Sequence, residues 1–227
     1  MSTVWYGLED KVVVVTGGSR GIGLELAKAL AAQKAKVVIC GRKKEGLDAA
    51  VAAIGGGDRV LAVPAHIAKE EDVNALFDAA VKTFGRVDVL VNNVGMNLLT
   101  PSVVDTEPAT WTKIIESNLT GTFLCSRKAA MIMRGKKNGR IISISSMAVL
   151  ESYPYVAYKT SKAGVVAMTE QLAYQNVQYG IRANAILPGL MNTPMAIEAR
   201  VKALGKTREQ IIAERDAKVP AGKMGTG

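Results

Sequence analysis

Apolar positions along the chain fall into two alternating patterns. Short runs rich in valine and isoleucine stand at 11–16, 36–41, 59–65, 87–91, 141–146 and 181–187, and each reads as a strand. Between them lie stretches with helical character. An alanine- and leucine-rich segment reaches Ala32, a second covers 45–54 before Gly55-Gly56-Gly57, and a third, 71–83, carries Val73, Leu76, Phe77, Ala80 and Val81 on one face. A loop at 96–108 precedes a long helix predicted at 109–134. Another spans 156–179 and is closed by Gly180, and a last one covers 206–217. Strands joined through helices imply a single doubly wound parallel sheet with right-handed crossovers and helices on both faces: an α/β domain over residues 1–227.

At 227 residues and 48% apolar content, the chain suits one core rather than two. No apolar run reaches the ~18 residues of a membrane helix, and Met1–Glu9 lacks the basic start and apolar core of a secretory signal, so a cytoplasmic protein is expected. Cys40 and Cys125 lie in apolar segments and read as reduced core residues. His66 is the only histidine, which leaves no zinc cluster, hence no metal, and little room for a hydrolase triad. The net charge of +9 comes from 29 dispersed basic residues, with aromatics at only 5%. That reads as a solvated basic surface rather than a nucleic-acid or membrane site, with steering of an anionic cofactor or substrate as a weaker role.

The first strand runs into Gly17-Gly18-Ser19-Arg20-Gly21-Ile22-Gly23, and a helix follows. Glycines at 17, 21 and 23 let the backbone approach a pyrophosphate, whose charge then faces the helix N-terminus. A fold of this type that selects NAD has an acid after its second strand; Gly41, Arg42 and Lys43 stand there instead. Arg42 and Arg20 would pair with a 2′-phosphate, which points to NADP with NAD as the lesser choice. Farther along, Tyr158 and Lys162 are four apart and share a helix face. A tyrosine acting as general acid/base near neutrality needs its pKa lowered by about 3 units from about 10, and the ammonium and the helix N-terminus both have the right sign. The hydroxyls of Ser145 and Ser146 end the strand just upstream, where ligands bind in α/β sheets.

Together the G-x-x-x-G-x-G turn, Asn92-Asn93-Val94-Gly95, Asn118, the strand-end serine with Tyr-x-x-x-Lys, and Pro188-Gly189 with Thr193 resemble the short-chain dehydrogenases/reductases, in particular the 3-oxoacyl reductase-like members. The resemblance runs from Val12 to Thr193. It implies Asn118, Ser146, Tyr158 and Lys162 as catalytic residues, with Asn118 at a helix distortion whose carbonyl holds a relay water. For the cofactor it implies Gly17, Ser19, Arg20, Gly21, Ile22 and Gly23 in the turn, and Arg42 after the second strand. Asn92 and Gly95 follow at the fourth strand, then Tyr158, Lys162, Pro188, Gly189 and Thr193. His66 stands where the family has an aspartate beside the adenine, followed by Ile67. The family's count selects Ser145, 13 positions before the tyrosine, but the strand-end register selects Ser146, which is preferred because a one-residue strand slip would turn every side chain over.

The implied activity is hydride transfer between NADP(H) and a secondary alcohol or ketone. The residues at 96–99, 147–155 and 190 onward are expected to form an apolar pocket for a hydrophobic or acyl-type small molecule. The alternatives are an NADP-binding regulatory subunit and an NAD-dependent alcohol dehydrogenase of the same fold. The apolar helices 109–134 and 156–179 suggest a homodimer or homotetramer. No counterpart of the family's last helix and seventh strand is expected in this chain, which leaves the sixth strand as an apolar edge.

Overall fold

β-branched side chains pack well on a pleated surface and lose freedom in helices, and the valine and isoleucine runs form the sheet. The computed structural model describes residues 7–100 and 102–226. Its strands are β1 (Val12–Thr16), β2 (Lys36–Gly41), β3 (Val60–Pro64), β4 (Val89–Asn92), β5 (Gly139–Ile144) and β6 (Ile181–Ile186). They pair in parallel in the order β3-β2-β1-β4-β5-β6. The order reverses between β1 and β4, and the crevice outside the carboxyl ends of these strands is where such sheets bind ligands.

Side chains alternate across β1, so the sheet serves two cores. Val13 and Val15 meet α1 (Gly21–Ala32) and α2 (Lys44–Ile54) through Ala27, Leu30, Leu47 and Ala50. Val12 and Val14 meet α3 (Glu70–Phe84) and the later α5 (Gly121–Lys136) through Leu76, Phe77, Cys125, Ala129 and Met133. Among the described residues, no helix is long and apolar enough to cross a membrane.

The expected long helix 109–134 is interrupted. Helix α4 (Pro108–Ile115) passes through a π-helical turn, Glu116–Thr120, before α5 (Gly121–Lys136). Asn118 causes this locally: its side chain leaves the helix for the backbone of Met96, and its carbonyl accepts from the Thr122 hydroxyl at 2.7 Å. Such bulges are how a helix takes in a residue whose polar groups bond elsewhere. Helix α6 (Val156–Asn176) is shorter than expected, because Val177–Tyr179 tightens to a 3₁₀ turn before Gly180.

Two helices follow β6. Helix α7 (Pro194–Leu204) is absent from the sequence expectation, although Thr193 caps it by accepting from the Ala196 N–H and Pro194 opens its first turn. Helix α8 (Arg208–Asp216) starts with a capping box between Thr207 and Gln210. Ile197, Ile211 and Met224 form a small core between them. The expected apolar edge at β6 is only partly apolar: Arg182 and Asn184 are exposed there beside Ile186.

Candidate active site

A cavity of about 990 Å³ opens at the carboxyl ends of the strands, and its floor is the turn between β1 and α1. Gly17 and Gly21 have φ of +66° and +57°, a conformation that favours glycine. Ser19, Arg20 and Ile22 line the cavity with them, and Arg42 reaches it from the end of β2. Gly23 acts behind the turn instead of in the cavity. A Cβ there would lie 2.4 Å from Asn93 Nδ2 and 2.5 Å from the Gly17 carbonyl oxygen, so only glycine lets α1 close against the loop.

Asn92 is not brought to the cavity either. Its Nδ2 donates to Ser126 Oγ at 2.9 Å and to Ser143 Oγ at 3.3 Å, which ties β4 to α5 and β5. Adjacent residues at a strand end point opposite ways, so its neighbour Asn93 does the reaching. Asn93 Nδ2 donates to the carbonyls of Thr16 and Gly17 at 3.0 and 3.2 Å, and the residue lines the cavity. The paired asparagines carry this signal, but not which of the two uses it.

His66, Ile67 and Gly95 line the same end, and Pro188, Gly189 and Thr193 close the far side. The His66 N–H donates to Asp72 Oδ2 at 2.7 Å, while Nδ1 accepts from the Ala68 N–H at 3.3 Å. With Nδ1 used as an acceptor, Nε2 is the ring nitrogen left to face a ligand.

Tyr158 and Lys162 come from the first turns of α6 and are buried against the cavity wall, 7% and 3% exposed. Lys162 Nζ donates to the Ile144 carbonyl at 2.7 Å and stands 6.0 Å from the centre of the Tyr158 ring. Burial pulls its pKa down to about 8. Burial also pushes the Tyr158 hydroxyl above its ordinary value, a rise that a hydrogen bond with Ser146 opposes. This corrects the electrostatic expectation. In the protein alone desolvation outweighs the Ser146 hydrogen bond, and the phenol is held protonated. The ammonium is already engaged by the Ile144 carbonyl.

The two serines separate by the same alternation. Ser146 lies against the Tyr158 hydroxyl, and its Oγ accepts from the Ala148 N–H at 3.2 Å. Ser145 turns inward and donates to the Lys162 carbonyl at 2.9 Å. Asn118 is fully buried and does not line the cavity, although its neighbour Ser117 does. Its Oδ1 accepts from the Met96 N–H at 2.7 Å, and its Nδ2 donates to the Met96 carbonyl and to Ser161 Oγ at 2.8 and 3.0 Å. Ser161 in turn donates to the Tyr158 carbonyl at 2.7 Å. Asn118 thus fixes the backbone on which the tyrosine stands.

Beyond Tyr158 the cavity changes character. Met96 and Asn97 line it, whereas Leu98 and Leu99 stay outside, and Met147, Tyr153 and Tyr155 supply its next wall. Asn97 Nδ2 donates to the Tyr153 hydroxyl at 2.8 Å, and the Tyr153 ring lies 5.6 Å from that of Tyr158. Leu190, Met191, Arg200 and Arg215 complete this end from the segments after β6. Among the described residues, no group of three or more His, Cys, Asp or Glu could hold a metal.

A profile of short chain dehydrogenases matches residues 11–203. The chain belongs to the short-chain dehydrogenase family. Two relatives show its range. A 3beta-hydroxysteroid dehydrogenase 1 from Eggerthella lenta is 42% identical over 195 residues, 84% of this chain and 74% of the relative. A 3-oxoacyl-[acyl-carrier-protein] reductase from Synechocystis is 39% identical over 195 residues, 83% of this chain and 77% of the relative. The structure of an actinorhodin polyketide ketoreductase variant with NADPH superposes with a TM-score of 0.89 at 30% identity, covering 96% of this chain and 85% of that one. An NAD+-bound xylitol dehydrogenase does so at 0.87 and 29%, covering 96% and 88%. This short-chain dehydrogenase is therefore an oxidoreductase with a fold that binds nicotinamide cofactors.

Proposed function

We propose that this chain interconverts a ketone and a secondary alcohol with NADP(H), on a hydrophobic or acyl-type substrate. One observation carries the reading: Tyr158, Ser146 and Lys162 stand at the wall of a cavity whose other end is the glycine turn. The residues fit a dinucleotide. Glycines at 17, 21, 95 and 189 line the cavity, and a Cβ at Gly21 or Gly189 would meet nothing closer than 3.8 Å, so backbone lies open to a ligand there. The turn and Thr193 would hold its two ends, with Lys162 and Tyr158 between them. The bound nicotinamide supplies or accepts the hydride.

Tyr158 donates its proton to the carbonyl oxygen in reduction and takes one back in oxidation. Its raised pKa keeps it in the form reduction needs. Ser146 holds the carbonyl oxygen beside the phenol, and Lys162 lends positive charge as proton transfer proceeds. Asn118 acts as a positioning residue through Met96 and Ser161. The methionines and leucine of the substrate end favour an apolar substrate, in keeping with relatives named for steroids and 3-oxoacyl groups.

The choice of NADP rests on Arg20 and Arg42. Both are exposed at the cavity rim, and neither has a carboxylate partner among the described residues. Structural neighbours with NADPH and with NAD+ leave that choice to these side chains. Exposed Phe123 and Met131 on α5, which line a second hollow of about 330 Å³ with Met168 and Leu172 of α6, support a homo-oligomer paired through these helices. Free, buried Cys40 and Cys125 support a cytoplasmic setting.

The test is a screen of ketones and alcohols that follows the absorbance of the reduced cofactor, with NADPH and NADH titrated in parallel. NADPH binds more tightly, and Arg42→Asp reverses the preference. Equal affinities in the unaltered protein refute the assignment to NADP. Cofactor binding without turnover of any substrate moves the chain to a nucleotide-binding regulator.

A further inference from the structure

The substrate end of the cavity holds charges that the proposed chemistry does not use. Arg200 on α7 and Arg215 on α8 line it from two different helices, and Ile197 packs with Ile211 to hold those helices together. Arg200 Nη1 donates to the Ala196 carbonyl of its own helix at 2.8 Å. Arg215 Nε is sealed from solvent and has no hydrogen-bond partner among the described residues. An orphaned buried donor is costly, more so on a charged group.

The nearby acids are committed elsewhere. Glu198 pairs with Arg208, Glu214 with Lys206 at 2.6 Å, and Asp216 accepts from the Met224 N–H at 2.8 Å. Glu151 also lines the cavity, but it makes no ion pair with either arginine among the described residues. Lys218 adds a third cation to the lining. Burial, and then the charge of Arg200, disfavour the charged form of Arg215, so the two guanidiniums feel each other across this end. Two planar forks from separate helices suit an oxyanion, which each can hold through paired N–H groups.

We propose that Arg200 and Arg215 form an anion-binding end to the substrate cavity, and that the substrate carries a carboxylate or phosphate away from its reacting carbonyl. This rests on reading the cavity as a ketone and alcohol site, and it narrows the substrate class within that reading. The tyrosine end handles a neutral carbonyl, the methionines accept the apolar span, and the arginines capture the charged terminus.

The test compares a series of oxo acids of increasing chain length with their methyl esters, using NADPH and the full chain. A second arm compares a 3-oxoacyl thioester of coenzyme A with the same acyl group on N-acetylcysteamine, which lacks the phosphates. The unaltered protein favours one anionic partner by kcat/KM. Arg215→Gln raises KM for that anion about tenfold relative to its neutral counterpart, the scale of one lost charge-assisted hydrogen bond. Arg200→Gln does the same, while Arg200→Lys recovers part of the loss. A selective effect on the oxo acids assigns a carboxylate; one confined to the coenzyme A thioester assigns a phosphate. Equal kcat/KM for anion and neutral counterpart in both arms, or equal losses on both in the variants, overturns the proposal. If no ketone is turned over at all, the oxidoreductase reading of the cavity fails, and melting temperature decides the anion site separately. A rise with the oxo acid or coenzyme A thioester that is lost in Arg215→Gln supports it, and no rise overturns it.

Discussion

The two ends of the cavity are built by different means. At the cofactor end the backbone does the work: a glycine turn rests on β1, whose Val12–Val15 are wholly buried, and Asn93 pins that turn from behind. At the substrate end the surface is made of side chains, Asn97, Tyr153, Arg200 and Arg215, delivered by segments far apart in sequence and not packed in the sheet. A backbone-built site is rigid because the strands beneath it are, and it serves any ligand with the same phosphate geometry. A side-chain-built site can be refitted without disturbing the sheet. Tyr158 stands at the junction, with its backbone fixed by Ser161 and Asn118 and its hydroxyl by Ser146.

The junction gives the largest effect. Tyr158→Phe removes one oxygen, so turnover falls by at least ~10²-fold, the span of a positioned general acid. NADPH affinity stays close to normal, because the glycine turn is untouched. Cofactor titration and single-turnover rates on the same preparation check both halves. A residual rate above about a hundredth of normal means that proton transfer belongs to another group.

Next is the pH dependence of Lys162. Its folded-state pKa of about 8 lies below its ordinary 10.5, so between those values the unfolded chain holds a proton the folded chain has released. Stability from this group therefore rises with pH through that window, by up to about 1.4 kcal/mol per pH unit. The cleanest stretch is pH 8 to 9, below the ordinary titration of Cys40 and Cys125, whose burial raises them and opposes the trend above it. Without cofactor, the melting temperature of the unaltered protein climbs relative to Lys162→Met across that range. Parallel profiles would show that the lysine is not desolvated at the junction.

Gly23→Ala probes the cofactor end alone. Its Cβ would sit 2.5 Å from the Gly17 carbonyl oxygen and 2.4 Å from Asn93 Nδ2, and the turn must shift. Overpacking of this kind costs about 1–3 kcal/mol, here with weaker NADPH binding. Calorimetry and cofactor titration read the two effects. A normal affinity would mean that the turn tolerates displacement.

The contrast between the ends also decides how much of the molecule is legible in its sequence. The strands and the glycine turn are legible because each is written in one contiguous stretch, as are Tyr158 and Lys162 one helical turn apart; the parallel sense follows from the alternation of strands with helices, but the order of the strands in the sheet does not. The choice of Ser146 over Ser145 follows from strand alternation alone. Alternation also separates Asn92 from Asn93, but which of them faces the turn depends on Ser126, Ser143 and Thr16, all remote in sequence. The expectation of a depressed tyrosine fails for a different reason: spacing shows that an ammonium is near, but burial, which sets the sign, is a property of the folded whole. Helix α7 is announced by Thr193-Pro194 as cap and first-turn proline, a signal masked by the place these residues hold beside the cofactor in the family's pattern. The pairing of Arg200 with Arg215 has no local signal, since it depends on how α7 meets α8.

That last junction gives the smallest effect and the sharpest separation of the two ends. Thr207 and Gln210 close the first turn of α8 reciprocally: the Thr207 N–H donates to Gln210 Oε1 at 2.9 Å, and the Gln210 N–H to Thr207 Oγ1 at 3.3 Å. Thr207→Ala leaves a backbone N–H without its side-chain partner at an exposed helix start, worth about 1 kcal/mol. The loss falls on the helix that carries Ile211 and Arg215, and not on β1 or the glycine turn. Hydrogen exchange in α8 should therefore quicken and KM for the substrate rise by a few-fold, while NADPH affinity and exchange in β1 stay unchanged. Were exchange to quicken equally in β1 and α8, the two ends would share one cooperative unit. The substrate end could then not be refitted independently of the sheet.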